Sequence, residues 1–199
     1  MAHAVAPAPP SDTPAAPRRF TQEEYMRMAE AGIFTDDDAV ELIHGQIVEM
    51  SPENSPHRVC IAKINRVLVQ RLEGTDYFVQ PQSTLPLDAY NLPEPDLAVL
   101  RGTPDDLMQG ELDVVLVVEV ADTSLERDRT VKQSLYAQAG IPTYWLVNLR
   151  DRTVEVYQEP DGDTYRERRT RDADDSVPLP IDGAADVTVA DLLPASAAE

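Results

Sequence analysis

Apolar residues change period along this chain, and the changes mark its elements. Five aliphatics in a row, Val114-Val115-Leu116-Val117-Val118, lead into Glu119 and Val120 without polar alternation. Such a run predicts a strand covered on both faces, at the centre of an α/β sheet. Tyr144-Trp145-Leu146-Val147 reads the same way. Tyr77 to Leu87, Pro95 to Leu100, Thr153 to Gln158 and Thr164 to Arg169 predict further strands, the last two joined by a turn at Asp161-Gly162. Elsewhere the spacing shifts to three and four. Val59, Ala62, Ile64, Val67, Leu68 and Leu72 give a helix that begins at Ser55-Pro56 and ends at Gly74. A second helix, Leu125 to Ala139, stops at Gly140, with Pro142 beyond. Thr21 and Glu24 have capping-box spacing for a helix running to Ala31, and Val40 to Met50 predicts a hairpin about His44-Gly45. The stretch with Pro178, Pro180 and Pro194 reads as a loose closing segment, and no internal repeat is present. From 56 to 149 the order is helix, strand, strand, strand, helix, strand, which limits the fold to an α/β layer structure with a mixed sheet.

Composition adds the boundaries. With 199 residues and 42% hydrophobic content, one domain with a sizeable core is expected. The first nineteen residues, rich in Ala and Pro, hold too little apolar surface to offset their ordering entropy and read as a disordered arm. The domain is expected over 20–193, with 194–199 as a tail. The start has no apolar signal-peptide core, and no stretch approaches the ~18 consecutive apolar residues that argue for a membrane span. The expectation is a soluble, cytoplasmic protein without membrane partners. The single cysteine, Cys60, excludes an internal disulfide and a cysteine-based zinc cluster; its place in Val59-Cys60-Ile61-Ala62 predicts a buried thiol. The formal net charge of −19 repels phosphate at long range and counts against a simple nucleic-acid binder. Tyr165 to Arg171 is a basic island, readable as a solvated strand face or as a local anion contact.

Against that background one carboxylate stands out. Glu119 follows five aliphatics on a strand expected to be central, where an ionised group is costly unless paired or bound to a metal. Asp96, after Pro95, begins the neighbouring strand. Two strands presenting one carboxylate each at one level would offer oxygen ligands to a hard divalent cation such as Mg2+. That cation could polarise a phosphoryl oxygen and activate water. Glu119 alone fits a structural ion pair with Lys132 equally well, and Asp96 alone fits a turn cap. On the second helix Asp128, Lys132 and Tyr136 form one stripe beside the expected buried stripe of Val131, Leu135 and Ala139. Lys132 could reach the strand end, or merely pair with Asp128 at the surface.

Taken together, Glu94-Pro95-Asp96, Val117-Val118-Glu119-Val120, Asp128 through Lys132 to Tyr136, and Ala139-Gly140-Ile141-Pro142-Thr143-Tyr144-Trp145-Leu146-Val147 resemble the Uma-two family, bacterial restriction-endonuclease-type proteins of the PD-(D/E)XK nuclease superfamily. Val40 to Met50, Ser51-Pro52 and His57 resemble that family's opening hairpin and helix start, so the likeness covers about 20 to 193. It implies a restriction-endonuclease-like core: a central mixed sheet flanked by helices, plus the N-terminal helix and hairpin. It also implies metal-dependent hydrolysis of DNA phosphodiesters, with Asp96 and Glu119 as ligands to Mg2+ (Mn2+ possible). The superfamily's usual Glu-x-Lys would place lysine at 121, where this chain has Ala121; in this family the assisting base would be Lys132 on the next helix. Glu41 is carried over as a further catalytic residue, an added ligand or a positioner of water. His57 fits a helix cap or surface role better than catalysis, and with Lys63 is only a substitute base. Ala121-Asp122-Thr123-Ser124 and Asn148 depart from the family's pattern at the rim of the site. A homodimer is expected, because cutting both strands of a duplex needs two sites. The alternative is an inactive nuclease-fold module for binding or assembly; a carboxylate-pair glycosidase fits poorly because Lys132 has no part in it.

Overall fold

The aliphatic run is the third strand of a six-stranded sheet, and the rest of the molecule is arranged to cover it. The computed structural model describes residues 16–35, 38–110 and 113–195; 1–15 of the expected arm and 196–199 of the expected tail lie outside them. In chain order the elements are α1 (Gln22–Glu30), the hairpin β1 (Val40–Ile43) and β2 (Gln46–Glu49), α2 (Ser55–Arg71), β3 (Tyr77–Pro81), β4 (Leu97–Arg101) and β5 (Asp113–Ala121). Then come α3 (Leu125–Arg127), a π-turn (Asp128–Lys132), α4 (Gln133–Gln138), β6 (Thr143–Asn148), β7 (Thr153–Asp161) and β8 (Thr164–Arg171). Short β9 (Ser176–Val177), β10 (Val187–Thr188) and α5 (Val189–Leu192) close the described chain.

The sheet order is β3-β4-β5-β6-β7-β8. Only β5 and β6 run parallel, joined by the α3–α4 crossover; every other neighbouring pair is antiparallel. This is the mixed α/β sheet flanked by helices that the sequence predicts. Alternate residues of the central strands feed two cores. Val118, Val120, Trp145, Val147 and Val156 pack against Cys60, Ile64 and Leu68 of α2. Val117, Ala121, Leu146 and Tyr157 pack against Tyr136 and Ala137 of α4.

The hairpin turns through His44 and Gly45, both at positive φ (52° and 76°), and Ile43 pairs with Gln46. It docks on the loop before β4, where Leu42 and Leu92 exchange main-chain hydrogen bonds. The Thr21–Glu24 capping box forms as predicted. Cys60 is buried and donates its thiol to the Leu192 carbonyl.

Three expectations change. The strand from Tyr77 stops at Pro81, because Gln82 takes φ 42° and turns the chain away. The two-residue turn of the β7–β8 hairpin is Gly162-Asp163, with Asp161 still paired to Thr164. The closing segment is not loose: Val177, Val187, Val189, Leu192 and Leu193 are buried in the α2-side core.

Candidate active site

Strand alternation carries Glu119 to the α4 face, since its i±2 neighbours Val117 and Ala121 both lie in that core. Its side chain is buried (residue exposure 6%). Asp96 immediately precedes β4, and Leu97 pairs with Val118, so Asp96 lies beside Glu119. The Asp96 N–H donates to Glu119 Oε2 at 3.4 Å, and Val120 N–H donates to Asp96 Oδ2 at 2.6 Å. The two carboxylates named from the sequence therefore meet at one end of adjacent strands.

The crossover helix supplies the cation. Its middle is a π-turn, wider than an α-helical turn, a local irregularity common at functional sites. The wider turn holds residues four apart in line, and Asp128, Lys132 and Tyr136 are all buried. The stripe expected beside the core is thus the buried one; Leu135 shares the burial, whereas Val131 is half-buried and Ala139 exposed. The surface Asp128–Lys132 pair does not form: the side chain of Asp128 accepts from Ser124. Lys132 Nζ instead donates to Glu119 Oε1 at 3.1 Å and to Glu41 Oε2 at 2.6 Å. Tyr136 donates its hydroxyl to Glu119 Oε1 at 2.6 Å.

Glu41 reaches this cluster from β1. Its Oε1 accepts from Arg127, and Oε2 accepts from Lys132 and from the Glu94 N–H at 3.3 Å. With both oxygens engaged, it is placed to hold Lys132. His57 departs from the cap or surface role expected of it. Asn54 is the α2 cap, and His57 Nε2 lies 3.3 Å from Asp96 Oδ2. Ala121, at the usual lysine position, is buried in the core, so Lys132 from the crossover helix is the lysine beside Glu119. The two departures at the rim have structural work. Asp122 accepts from Asn54 and Arg150, and Asn148 ties the β6–β7 turn through Arg150 and Asp151.

Glu41, His57, Asp96, Glu119, Asp128 and Lys132 line an open cleft of about 390 Å³. Among the described residues, Asp38, Glu41, Glu53, Glu94, Asp96, Glu119 and Asp128 face it with only Arg127 and Lys132 as permanent cations. The imbalance shows in their protonation. Burial pushes Glu119 up to about 8, with Asp96 and Asp128 adding to the rise against the pull of Lys132. Burial likewise raises Asp128 to about 6. Burial also raises Glu94, helped by the charge of Glu41. For Lys132 burial works the other way, but Glu119 and Glu41 outweigh it and push its pKa up to about 12. Lys132 Nζ is thus a donor shared by the two glutamates. Burial would lower His57, yet hydrogen bonding and charge from Asp96, with Glu53 behind it, raise it.

The donor chemistry fits a divalent cation. Among the described residues Asp96 Oδ1 receives no hydrogen bond, and Glu119 Oε2 receives only the long one from Asp96 N–H. Two carboxylates with spare lone pairs, in a cleft short of positive charge, are what a hard cation requires. Tyr136 lies on the stripe of fours read from the sequence, whereas Glu53 and Arg127 carry no sequence signal of their own. Each of those two becomes meaningful only once the fold brings it to Asp96 or Glu41.

A family profile described as "Uma2: Putative restriction endonuclease" matches residues 22–190. The structure is similar to the crystal structure of a putative nuclease belonging to DUF820 from Anabaena variabilis, with a TM-score of 0.67 and 16% identity. That likeness covers 87% of this chain and 97% of the other, and at such identity it is a likeness of fold. Comparison with curated proteins gives no match.

Proposed function

The chain belongs to the Uma2 (Uma-two) family, and from that premise we propose that it is a metal-dependent endonuclease hydrolysing DNA phosphodiester bonds. One observation carries the reading: Asp96, Glu119 and Lys132, drawn from three elements, meet at a cleft with surplus negative charge. Asp96 and Glu119 would hold Mg2+ or Mn2+. A cation there supplies charge neutralisation at the phosphoryl oxygens and eases deprotonation of the attacking water. Lys132, already protonated, directs its remaining N–H toward the negative charge that develops on phosphorus oxygens. Glu41, held by Arg127, fixes the Lys132 ammonium, and Tyr136 fixes the Glu119 carboxylate. The surplus carboxylates of the cleft are acceptors for the proton that water gives up.

The reading extends to a homodimer that brings two clefts to opposite strands of a duplex. Light scattering at micromolar concentration would read two chains; a monomer that still makes double-strand breaks would refute this part. Among the described residues no helix is long and apolar enough to cross a membrane, and the reading places the reaction in the cytoplasm. The test of the activity is incubation of supercoiled plasmid with protein and Mg2+, Mn2+ or chelator. Relaxed or linear product with either ion and none with chelator is expected. Intact plasmid under all three conditions, from folded protein, would favour an inactive nuclease-fold module.

A further inference from the structure

Asp96 faces two ways. One side meets Glu119; the other meets the start of α2, where His57 Nε2 lies 3.3 Å from Asp96 Oδ2. Glu53, in the loop before α2, adds a third donor. One ligand atom each from Glu53, His57 and Asp96 all lie within 4.8 Å of one another. We infer that the cleft binds its divalent ion partly through the imidazole of His57, with Asp96 and Glu53 as oxygen partners, and so selects a first-row transition ion such as Mn2+ over Mg2+. This deepens the proposed function and rests on it, since it assumes that the cleft holds a cation.

Two features support the assignment. The first is spacing. Donors about 2.0–2.2 Å from one ion, at right angles, lie roughly 3 Å apart. The gap between His57 and Asp96 is already close to that edge length. The second is how these donors are held. Gln82, in the left-handed region at φ 42°, donates its main-chain N–H to the Asp96 carbonyl at 3.0 Å and its side-chain amide to Glu53. One residue in a conformation that non-glycine residues rarely adopt thus ties two of the three donors together. On the third donor, Asn54 accepts the His57 N–H at 3.0 Å and fixes the first turn of α2.

Nitrogen ligation has a consequence that an all-oxygen site lacks. Mg2+ prefers oxygen donors and gives up its water reluctantly, whereas imidazole suits later divalent ions. The test is calorimetric titration of the full chain with Mn2+ and with Mg2+, for wild type, His57→Gln and Asp96→Ala. Wild type is expected to bind Mn2+ at least about tenfold more tightly than Mg2+. His57→Gln is expected to lose that preference, Mn2+ weakening on the order of ten- to a hundredfold while Mg2+ changes little. Asp96→Ala is expected to lose both ions. A spectroscopic arm on wild type guards against a misfolded variant: Mn2+ bound to the protein should show electron spin-echo modulation from a coordinated imidazole nitrogen. An unchanged Mn2+-to-Mg2+ ratio in folded His57→Gln, or no nitrogen modulation, would overturn this inference and leave the Asp96–Glu119 reading standing. Wild type that binds neither ion would overturn both.

Discussion

Two buried glutamates occupy the same level of the same sheet face, and they have opposite fates. Glu119 on β5 pairs across to Leu146, and Leu146 to Glu155 on β7. Both receive a cation from the π-turn, Lys132 for Glu119 and Arg129 for Glu155. Both accept a tyrosine hydroxyl at 2.6 Å, from Tyr136 and Tyr157 respectively. Glu155, however, also has Arg168, and faces no cleft crowded with acids. Burial would raise its carboxyl, but the hydrogen bond and charge of Arg129, with Tyr157 and Arg168, hold it below the usual range. Glu119 is pushed up instead. A buried carboxylate matched by cations is a structural joint; one left outnumbered beside an opening is waiting for a charge from outside.

Neutralising each glutamate in turn should separate the two most widely. Glu119→Gln is expected to lower metal-dependent cleavage on the order of a thousandfold while the protein stays folded. Glu155→Gln is expected to cost about 3 kcal/mol of stability, since removing one side of a buried pair strands the other. Rate per folded molecule is expected to hold in that variant. Plasmid cleavage and urea unfolding on both would show the contrast, and equal losses in both properties would erase it.

Lys132 comes next. In Lys132→Met, single-turnover cleavage at matched metal and salt is expected to fall on the order of a hundredfold. Duplex affinity is expected to change little, because one lysine is a small part of a phosphate footprint. Near-wild-type turnover would reduce Lys132 to a counterpart of Arg129, a joint and nothing more.

The pH dependence of stability differs in sign between the two glutamates. The Glu119 carboxyl, raised to about 8, gives stability that is full below its unfolded value near 4.5 and is lost as pH rises through 8. Glu155, depressed, contributes above its unfolded value and loses its contribution as pH falls through the lower folded one. Metal-free protein is therefore expected to weaken between about pH 5 and 8.5, and Glu119→Gln to flatten that decline. Glu155→Gln would flatten only the acid side. Urea midpoints in chelator from about pH 3 to 9 are the measurement; a decline that persists unchanged in Glu119→Gln would contradict the assignment.

Much of this arrangement is written locally. The unbroken aliphatic run specifies a central strand, and a charge inside it marks Glu119 without any knowledge of partners. Spacing in fours along the crossover places Asp128, Lys132 and Tyr136 together, though a regular helix gives the wrong buried stripe. The π-turn that corrects it follows from tertiary burial of Lys132 against Glu41 and Glu119, contacts distant in sequence. Glu155 alternates with Val154 and Val156 like any half-exposed strand residue, so its burial is invisible until Arg129 and Arg168 close over it. Glu53 sits in a polar loop, and only the position of Asp96 gives it a role. Likewise the closing segment, with its prolines, hides seven buried aliphatics that join the core shared by α2 and the sheet.

Whether Glu119 and Asp96 are unbalanced because they hold a cation is decided by calorimetric titration with Mn2+ of wild type, Asp96→Ala and Glu119→Ala, each confirmed folded. Wild type is expected to bind, and both variants to lose that binding. Affinity unchanged in both variants would contradict the account.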